Sequence, residues 1–141
     1  MSKVLSQETQ FTDIHLIRLA LEQQGFTPVF QEGYPSMEMQ GYKNQVFQAN
    51  LGVTRANWQL VTTQFTYGDL GFTRKADGTV GFTGDDILMR SKSFEQSFDA
   101  LKVLYTEKKY VQDMYESGYT VDSRMVNEHT GAVELEFARA W

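Results

Sequence analysis

Cysteine is absent from the 141 residues of the sequence, and histidine occurs only twice. The lack of cysteine excludes disulfides, thiolate nucleophiles, and zinc or iron–sulfur sites that use cysteine ligands. Neither His15 nor His129 has another histidine or a glutamate at the spacing typical of a metal site. We therefore expect no structural or catalytic metal and no cofactor, with His15 in a helix and His129 in a solvated turn.

Proline is scarce as well, with 2 residues, and the sequence holds no internal repeat, low-complexity segment or glycine-rich linker. These absences predict one domain over residues 1–141. Long apolar runs are also missing, because no stretch approaches the roughly 20 residues that a membrane span requires. Residues 1–5 lack the apolar stretch of a signal peptide. We expect a soluble cytoplasmic protein without a membrane partner.

Basic residues are outnumbered, 13 against 18 acidic residues, which gives a formal net charge of -5 at pH 7. The densest basic spots are only two pairs, Arg74-Lys75 and Lys108-Lys109. A surface that binds nucleic acid needs its basic groups gathered on one face to attract the phosphate backbone. We therefore do not expect nucleic acid as a partner.

Motifs of common catalytic and nucleotide-binding sites are missing too. The sequence has neither the glycine motif of dinucleotide-binding domains, nor the phosphate loop of nucleoside triphosphatases, nor Gly-x-Ser-x-Gly. Asp85 and Asp86 could ligate Mg²⁺, but adjacent acidic residues before a helix more commonly stabilise its positive N-terminal end. A conventional pair of nucleophile and base is hard to assemble from these residues. We expect a protein that is not an enzyme.

Two amphipathic helices are predicted from periodicity and end signals. The first should begin after Thr12 or Asp13 as N-cap and end at Gly25. The second should begin at Ser93, which forms a capping box with Gln96, and should end near residue 118. The apolar stripe of the second helix comprises Phe94, Phe98, Leu101, Tyr105, Val111, Met114 and Tyr115.

Residues between and after the helices alternate with a period of two, which is typical of strands. Residues 45–53 read as one strand with Phe47, Ala49, Leu51 and Val53 on one side, and residues 57–65 as another. Hairpins are predicted from 69–73 with 79–83 and from 119–126 with 132–139. The resulting fold class is α+β, with an antiparallel sheet of about five to seven strands and both helices packed on one face. The alternation of the last strand continues in phase to Trp141, which we expect to pack against the fold.

Several short motifs occur together in a fixed order along the chain. They are Met1-Ser2-Lys3-Val4, Thr9, Asp13, Gly41-Tyr42-Lys43-Asn44-Gln45, Asp69-Leu70-Gly71-Phe72, Tyr105 and Arg139-Ala140-Trp141. In order and spacing this set resembles the hypothetical chloroplast reading frame thirty-five family, a domain of unknown function in plastids, cyanobacteria and other bacteria. The chain departs from the family pattern at Lys3, Asn44, Glu107 and Ala140, so it resembles a divergent member. The resemblance implies no activity, and it implies the plastid stroma as location if the chain is plastid-encoded.

The most compact part of this resemblance, Gly41, Tyr42, Lys43, Asn44 and Gln45, is also chemically the most suggestive. An aromatic, a cation and two amides in one loop or strand entry can recognise a partner. The same residues can equally form a turn, because glycine and asparagine tolerate positive φ. Both interpretations stay open from the sequence.

The function that the sequence favours is therefore a non-catalytic binding or accessory module that acts through contacts with another protein. Residues 41–45 are the candidate partner-binding segment. The alternative is a small-ligand-binding protein or an enzyme that uses carboxylates and tyrosines. The oligomeric state is left open.

Overall fold

The computed structural model of the chain describes residues 4–8, 11–41, 45–54, 68–85 and 92–141. These residues contain two helices, and every strand pair among them is antiparallel. The elements in chain order are β1 (Val4–Glu8), α1 (Ile14–Gln23), β2 (Val29–Phe30), β3 (Met37–Gln40), β4 (Val46–Ala49), β5 (Leu51–Val53), β6 (Leu70–Arg74), β7 (Val80–Asp85), α2 (Lys92–Glu116), β8 (Tyr119–Val126) and β9 (Val133–Arg139). The predicted α+β class with antiparallel strands is confirmed.

The chain forms two compact units, an N-terminal unit of Met1–Val103 and a C-terminal unit of Leu104–Trp141. The helix α2 contributes its first residues to the former and the rest to the latter. The single domain expected over residues 1–141 stays a prediction. Among the described residues, neither helix combines the length and apolarity needed to cross a bilayer.

The N-terminal unit is built on a five-stranded sheet with the order β1-β7-β6-β5-β2. Its central strands alternate, as predicted, so that Leu51, Phe72 and Phe82 lie opposite one another in register and are buried. The side chains of Leu21 from α1 and Phe98 from α2 line the same part of the core as Phe72 and Phe82. Both helices therefore cover one face of this sheet.

The opposite face of the sheet is covered by a separate two-stranded sheet of β3 and β4. Gly71 of β6 faces this layer: a Cβ built on it would lie 2.7 Å from the Phe47 ring and 2.9 Å from the Ala49 Cβ. Gly52, which pairs with Gly71, lies in the same way against Met39. The two glycines let the β3–β4 sheet approach closely, and this close approach buries Met39 and Ala49.

Residues 45–53 are not one strand, which corrects the sequence-based prediction. The chain breaks at Asn50, so that β4 belongs to the small sheet and β5 to the five-stranded one. Asn50 is wholly buried, and its side chain donates to the carbonyls of Gln31 and Gly33 and accepts from the Arg74 N–H. These bonds satisfy every polar atom of the side chain, which makes its burial tolerable and fixes the break.

The helix ends agree with their local signals at α1 but not at the start of α2. The Asp13 carboxylate accepts from the N–H groups of His15 and Leu16 at 3.0 and 3.3 Å, so Asp13 is the N-cap of α1. Gly25, with φ 98°, follows the last turn as expected. The second helix begins at Lys92, one residue before the predicted start at Ser93. Residues 57–65 and Asp86 lie outside the described residues.

Candidate protein-binding surface

The predicted recognition segment lies at the end of the β3–β4 hairpin. Gly41 is buried and donates its N–H to the Gln45 carbonyl at 2.8 Å, whereas Gln45 is exposed. The base of the loop is fastened to Asp69, which exchanges two hydrogen bonds with Gln40 at 2.7 and 2.8 Å. The other three members of the segment, Tyr42, Lys43 and Asn44, lie outside the described residues. The role of the segment in binding stays a prediction.

A polar cluster on the N-terminal unit joins α1, β6 and Glu32, the second residue after β2. The Arg74 guanidinium pairs with the Glu32 carboxylate and lies 3.2 Å from His15 Nε2, and that nitrogen is 3.7 Å from the carboxylate. The hydrogen bond from Arg74 lowers the pKa of Glu32, and the neighbouring charges add to this effect. Arg18 lies over the Phe30 ring beside the cluster, 5.3 Å from its centroid.

This polar cluster has the character of a surface ion pair more than of a reaction centre. Glu32 and His15 are both largely exposed, so water screens the charges. Arg74 donates to both groups, which fixes all three to one another instead of presenting them to a substrate. Its effect is to hold the end of β2 against α1 and β6. No group of three or more acidic or histidine side chains in the described ranges is arranged to hold a metal ion.

The core of the N-terminal unit contains a small gap between the helices and the sheet. It is lined mainly by apolar and aromatic side chains, together with Gln24 and Ser97. The gap holds about one water molecule, which is too little for an organic ligand. The Gln24 amide donates to the Ser97 carbonyl at 3.0 Å, and its oxygen has no hydrogen-bond partner among the described residues. We assign this gap to packing, not to ligand binding.

The C-terminal unit consists of the later turns of α2 and the β8–β9 hairpin, which confirms the predicted closing hairpin. Asn127 closes the turn by accepting, through its side chain, from the N–H groups of His129 and Thr130. His129 is therefore an exposed turn residue, as expected. The glutamates Glu134 and Glu136 point to water, while the alternate residues of β9 are half-buried.

An ion pair connects α2 to β8 within this unit. The Arg124 guanidinium donates from Nε to both Glu107 oxygens, at 3.0 and 3.2 Å, and from a terminal nitrogen at 2.9 Å. The Glu107 side chain is only 14% exposed, so this pair is better shielded from water than an ordinary surface salt bridge. Glu107 thus orients β8 through Arg124.

Four aromatic side chains run along the C-terminal unit, and we call them the aromatic surface: Tyr110, Tyr115, Phe137 and Trp141. They pair edge to face, Tyr110 with Phe137 at 5.4 Å and Tyr115 with Trp141 at 5.3 Å between centroids. Tyr110 is 52% and Tyr115 55% exposed, although both lie on a helix that also has an apolar face. A large part of this aromatic area therefore faces water.

Trp141 corrects a second prediction from the sequence. The indole contacts Tyr115 and lies 3.5 Å from the position of a Cβ on Gly118, so the terminus does touch the fold. The side chain is nevertheless 70% exposed. The alternation of β9 correctly gave the side on which Trp141 lies. It could not show that too few residues surround that side to bury an indole.

The sequence pointed to residues 41–45, which stay a prediction, and did not single out the aromatic surface, which lies elsewhere in the chain. One feature of the sequence could have indicated this surface. The helix α2 and the strand β9 carry more aromatic and aliphatic residues than a helix and a two-stranded hairpin can bury between them. Comparison of the chain with protein-family models, curated proteins and solved structures finds no match. The resemblance to the chloroplast reading frame family stays a prediction.

Proposed function

We propose that the chain is a non-catalytic binding or accessory module that acts through protein–protein contacts, chiefly through the aromatic surface of its C-terminal unit. The observation that carries the proposal is the exposure of Tyr110, Tyr115 and Trp141 together in one small unit. Exposed apolar side chains occurring singly are normal, but Tyr115 and Trp141 are both exposed and in contact with each other, which supports an interaction site.

The chemistry of the four side chains supports a protein partner. Tyrosine and tryptophan supply large apolar contact areas together with one polar atom, and they are enriched among the residues that dominate binding energy. Their edge-to-face contacts reduce the rotamers available to Tyr115 and Trp141 before a partner arrives. Less side-chain entropy is then lost on binding.

The loop at residues 41–45 is the second proposed contact. Gln45 is exposed at its end, and the carboxylate of Asp69 holds the strand that leads into it. The hydrogen bonds at the base of the segment suit recognition, because less conformational freedom is lost there when a partner binds. This contact belongs to the N-terminal unit, so we treat it as separable from the aromatic surface.

The test is capture of a partner by the immobilised full chain from an extract of the source cells, with chemical crosslinking to identify the contact. The double variant Tyr115→Ala/Trp141→Ala should lose most of the captured protein. The matched control is Tyr34→Ala, because Tyr34 is 90% exposed in the N-terminal unit and its replacement also removes an exposed aromatic side chain. Gln45→Ala reports separately on the loop.

The proposal requires that crosslinks from the partner fall on the C-terminal unit and that the control variant captures as well as the parent. Capture that survives the loss of both Tyr115 and Trp141, in variants shown by circular dichroism to be folded, would remove the aromatic surface from the function. Capture lost only in Gln45→Ala would move the contact to the loop.

A further inference from the structure

One edge of the C-terminal hairpin presents a regular row of backbone groups that pair with no other strand among the described residues. At the turn, Asn127 N–H donates to the Ala132 carbonyl, and at the open end Ala140 N–H donates to the Gly118 carbonyl, both at 2.8 Å. Hydrogen-bonded and non-bonded pairs alternate in an antiparallel ladder. Glu134, Glu136 and Ala138, which alternate with the same period as Ala132 and Ala140, therefore point their backbone N–H and C=O groups toward β8. The residues that direct theirs away from β8 are Val133, Leu135, Phe137 and Arg139.

The other edge of the hairpin is less suited to accept a strand. In β8 the register shifts between Val121 and Ser123, which leaves Asp122 without an opposite residue on β9. Such an irregularity bends the strand and interrupts the spacing of its outward groups, and it commonly protects an edge from pairing. In the part of the chain that the structure describes, β9 pairs only with β8, and its own seven residues are uninterrupted.

The side chains of β9 define what an added strand should carry. Glu134 and Glu136 are exposed on one face and make no ion pair with any described residue. Leu135 and Phe137 lie half-buried on the other face, and Phe137 is itself part of the aromatic surface. Side chains directly opposite on neighbouring strands interact, and opposite charges there are stabilising while like charges are not. The edge is therefore complementary to a strand in which basic and apolar residues alternate.

We infer that β9 binds an extended segment of a partner protein as an additional strand, and that this segment alternates basic with apolar residues. Its backbone bonds to the outward groups of β9, its basic side chains lie opposite Glu134 and Glu136, and its apolar ones extend the face of Phe137. The inference rests on the proposed protein-binding function and names the partner's chemistry. A second copy of the chain is a poorer occupant, because the net charge of -5 opposes self-association.

The probe is a blocked seven-residue peptide, the length of β9, in which valine alternates with lysine. A peptide in which valine alternates with glutamate is the comparison. Titration of the full chain followed by nuclear magnetic resonance should show binding of the lysine peptide only. It should also show slower hydrogen exchange at the amides of Val133, Leu135 and Phe137. Exchange at the inward amides of Glu134 and Glu136 should change less, because these already bond within the hairpin.

Two pairs of variants separate strand addition from simple charge attraction. Glu134→Lys/Glu136→Lys should reverse the preference between the peptides, with a change of about tenfold or more in relative affinity. Glu22→Lys/Glu38→Lys makes the same change of charge in the N-terminal unit and should leave the preference as it was. Val133→Pro removes one outward N–H and should weaken binding, whereas Val133→Ala removes the same side chain and keeps that N–H.

Equal binding of both peptides, or protection at amides other than the outward ones, would overturn the inference. So would a homodimer that Val133→Pro dissociates, because the occupant would then be a second copy. If the lysine peptide fails to bind while Tyr115→Ala/Trp141→Ala still abolishes capture of the native partner, the protein-binding function stands and strand addition at β9 is wrong.

Discussion

In the N-terminal unit the apolar side chains of the central strands are withdrawn from water, whereas in the C-terminal unit no residue of either strand is fully buried. Phe72 and Phe82 are covered by helices on one side of a sheet whose other side carries the β3–β4 layer. Among the described residues, Phe137 has one aromatic ring contact, with Tyr110, and its side chain is only half-buried. Similar alternating strands thus end in different environments because the number of covering elements differs.

This difference separates two uses of apolar residues. Buried apolar side chains, as in the N-terminal unit, contribute to the free energy of unfolding at roughly 25 cal/mol per Å² of apolar surface removed from water. Exposed apolar side chains, as in the C-terminal unit, contribute little to stability until a binding partner covers them. The C-terminal unit, in which neither strand has a fully buried residue, therefore holds unused apolar area that is available for a partner.

The sharpest test of the contrast replaces one phenylalanine in each unit. Phe82→Ala should lower the free energy of unfolding by about 3–5 kcal/mol, because the ring is buried against Phe94 and Phe98 at 5.3 and 5.2 Å. Phe137→Ala should cost less than half as much, since its ring is already partly in water. Urea denaturation of both variants measures the difference. Equal losses would mean that Phe137 is as well covered as Phe82, and the contrast would fail.

The next effect concerns the close approach of the β3–β4 layer. Gly71→Ala should destabilise the chain by about 1–3 kcal/mol, because the new methyl group meets Phe47 and Ala49 at less than contact distance. A double-mutant cycle with Phe47→Leu should recover part of this loss, since the smaller side chain can withdraw. If Gly71→Ala were neutral, the layer would have to be loosely packed, and the N-terminal unit would resemble the C-terminal one.

Within the C-terminal unit a polar contact should matter more than its exposed aromatics. Glu107→Gln should lower the free energy of unfolding by about 1–2 kcal/mol. The change removes the negative charge that accepts from Arg124 and leaves the partly buried guanidinium without a charged partner. Amide exchange in β8 should speed up while exchange in the N-terminal sheet is unchanged. Glu116→Gln is the control, as it makes the same charge change at the exposed end of α2. Equal effects of the two variants would show that the ion pair contributes nothing.

The smallest effect is expected at the terminus. Trp141→Ala should change the free energy of unfolding by about 1 kcal/mol or less, because only the contacts with Tyr115 and Gly118 are lost. The same variant should nevertheless weaken partner capture, so stability and binding separate at this residue. A loss comparable with that of Phe82→Ala would show that the indole is buried, and that the C-terminal unit covers its own aromatics.

The parts of the fold that the sequence predicted are those with local causes. Asp13 and Gly25 bound α1 because capping bonds and a positive φ involve only neighbouring residues. The β6–β7 hairpin follows from the turn at Asp77, whose carboxylate accepts from the Thr79 N–H and hydroxyl. The same two bonds lower the pKa of Asp77, because hydrogen bonds from Thr79 stabilise the ionised carboxylate in the turn.

The features that the sequence did not predict have distant causes. The pattern of residues 45–53 continues through Asn50, and nothing nearby shows that its side chain will bond to Gln31, Gly33 and Arg74. The aromatic surface was missed for a related reason. Helical and strand periods identify which side chains share a face, but they do not say whether the chain itself covers that face.

The pairing of the first strand with β7 has a consequence for the order of events during synthesis. Val4 lies opposite Asp85, so β1 leaves the ribosome long before its partner strand exists. The β6–β7 hairpin closes locally, but the addition of β1 must wait for a large loop to close, which is entropically the slower step. During that interval β1 and the open edge of β7 are both available to other nascent chains. Dilute refolding should therefore succeed where crowded expression yields aggregates.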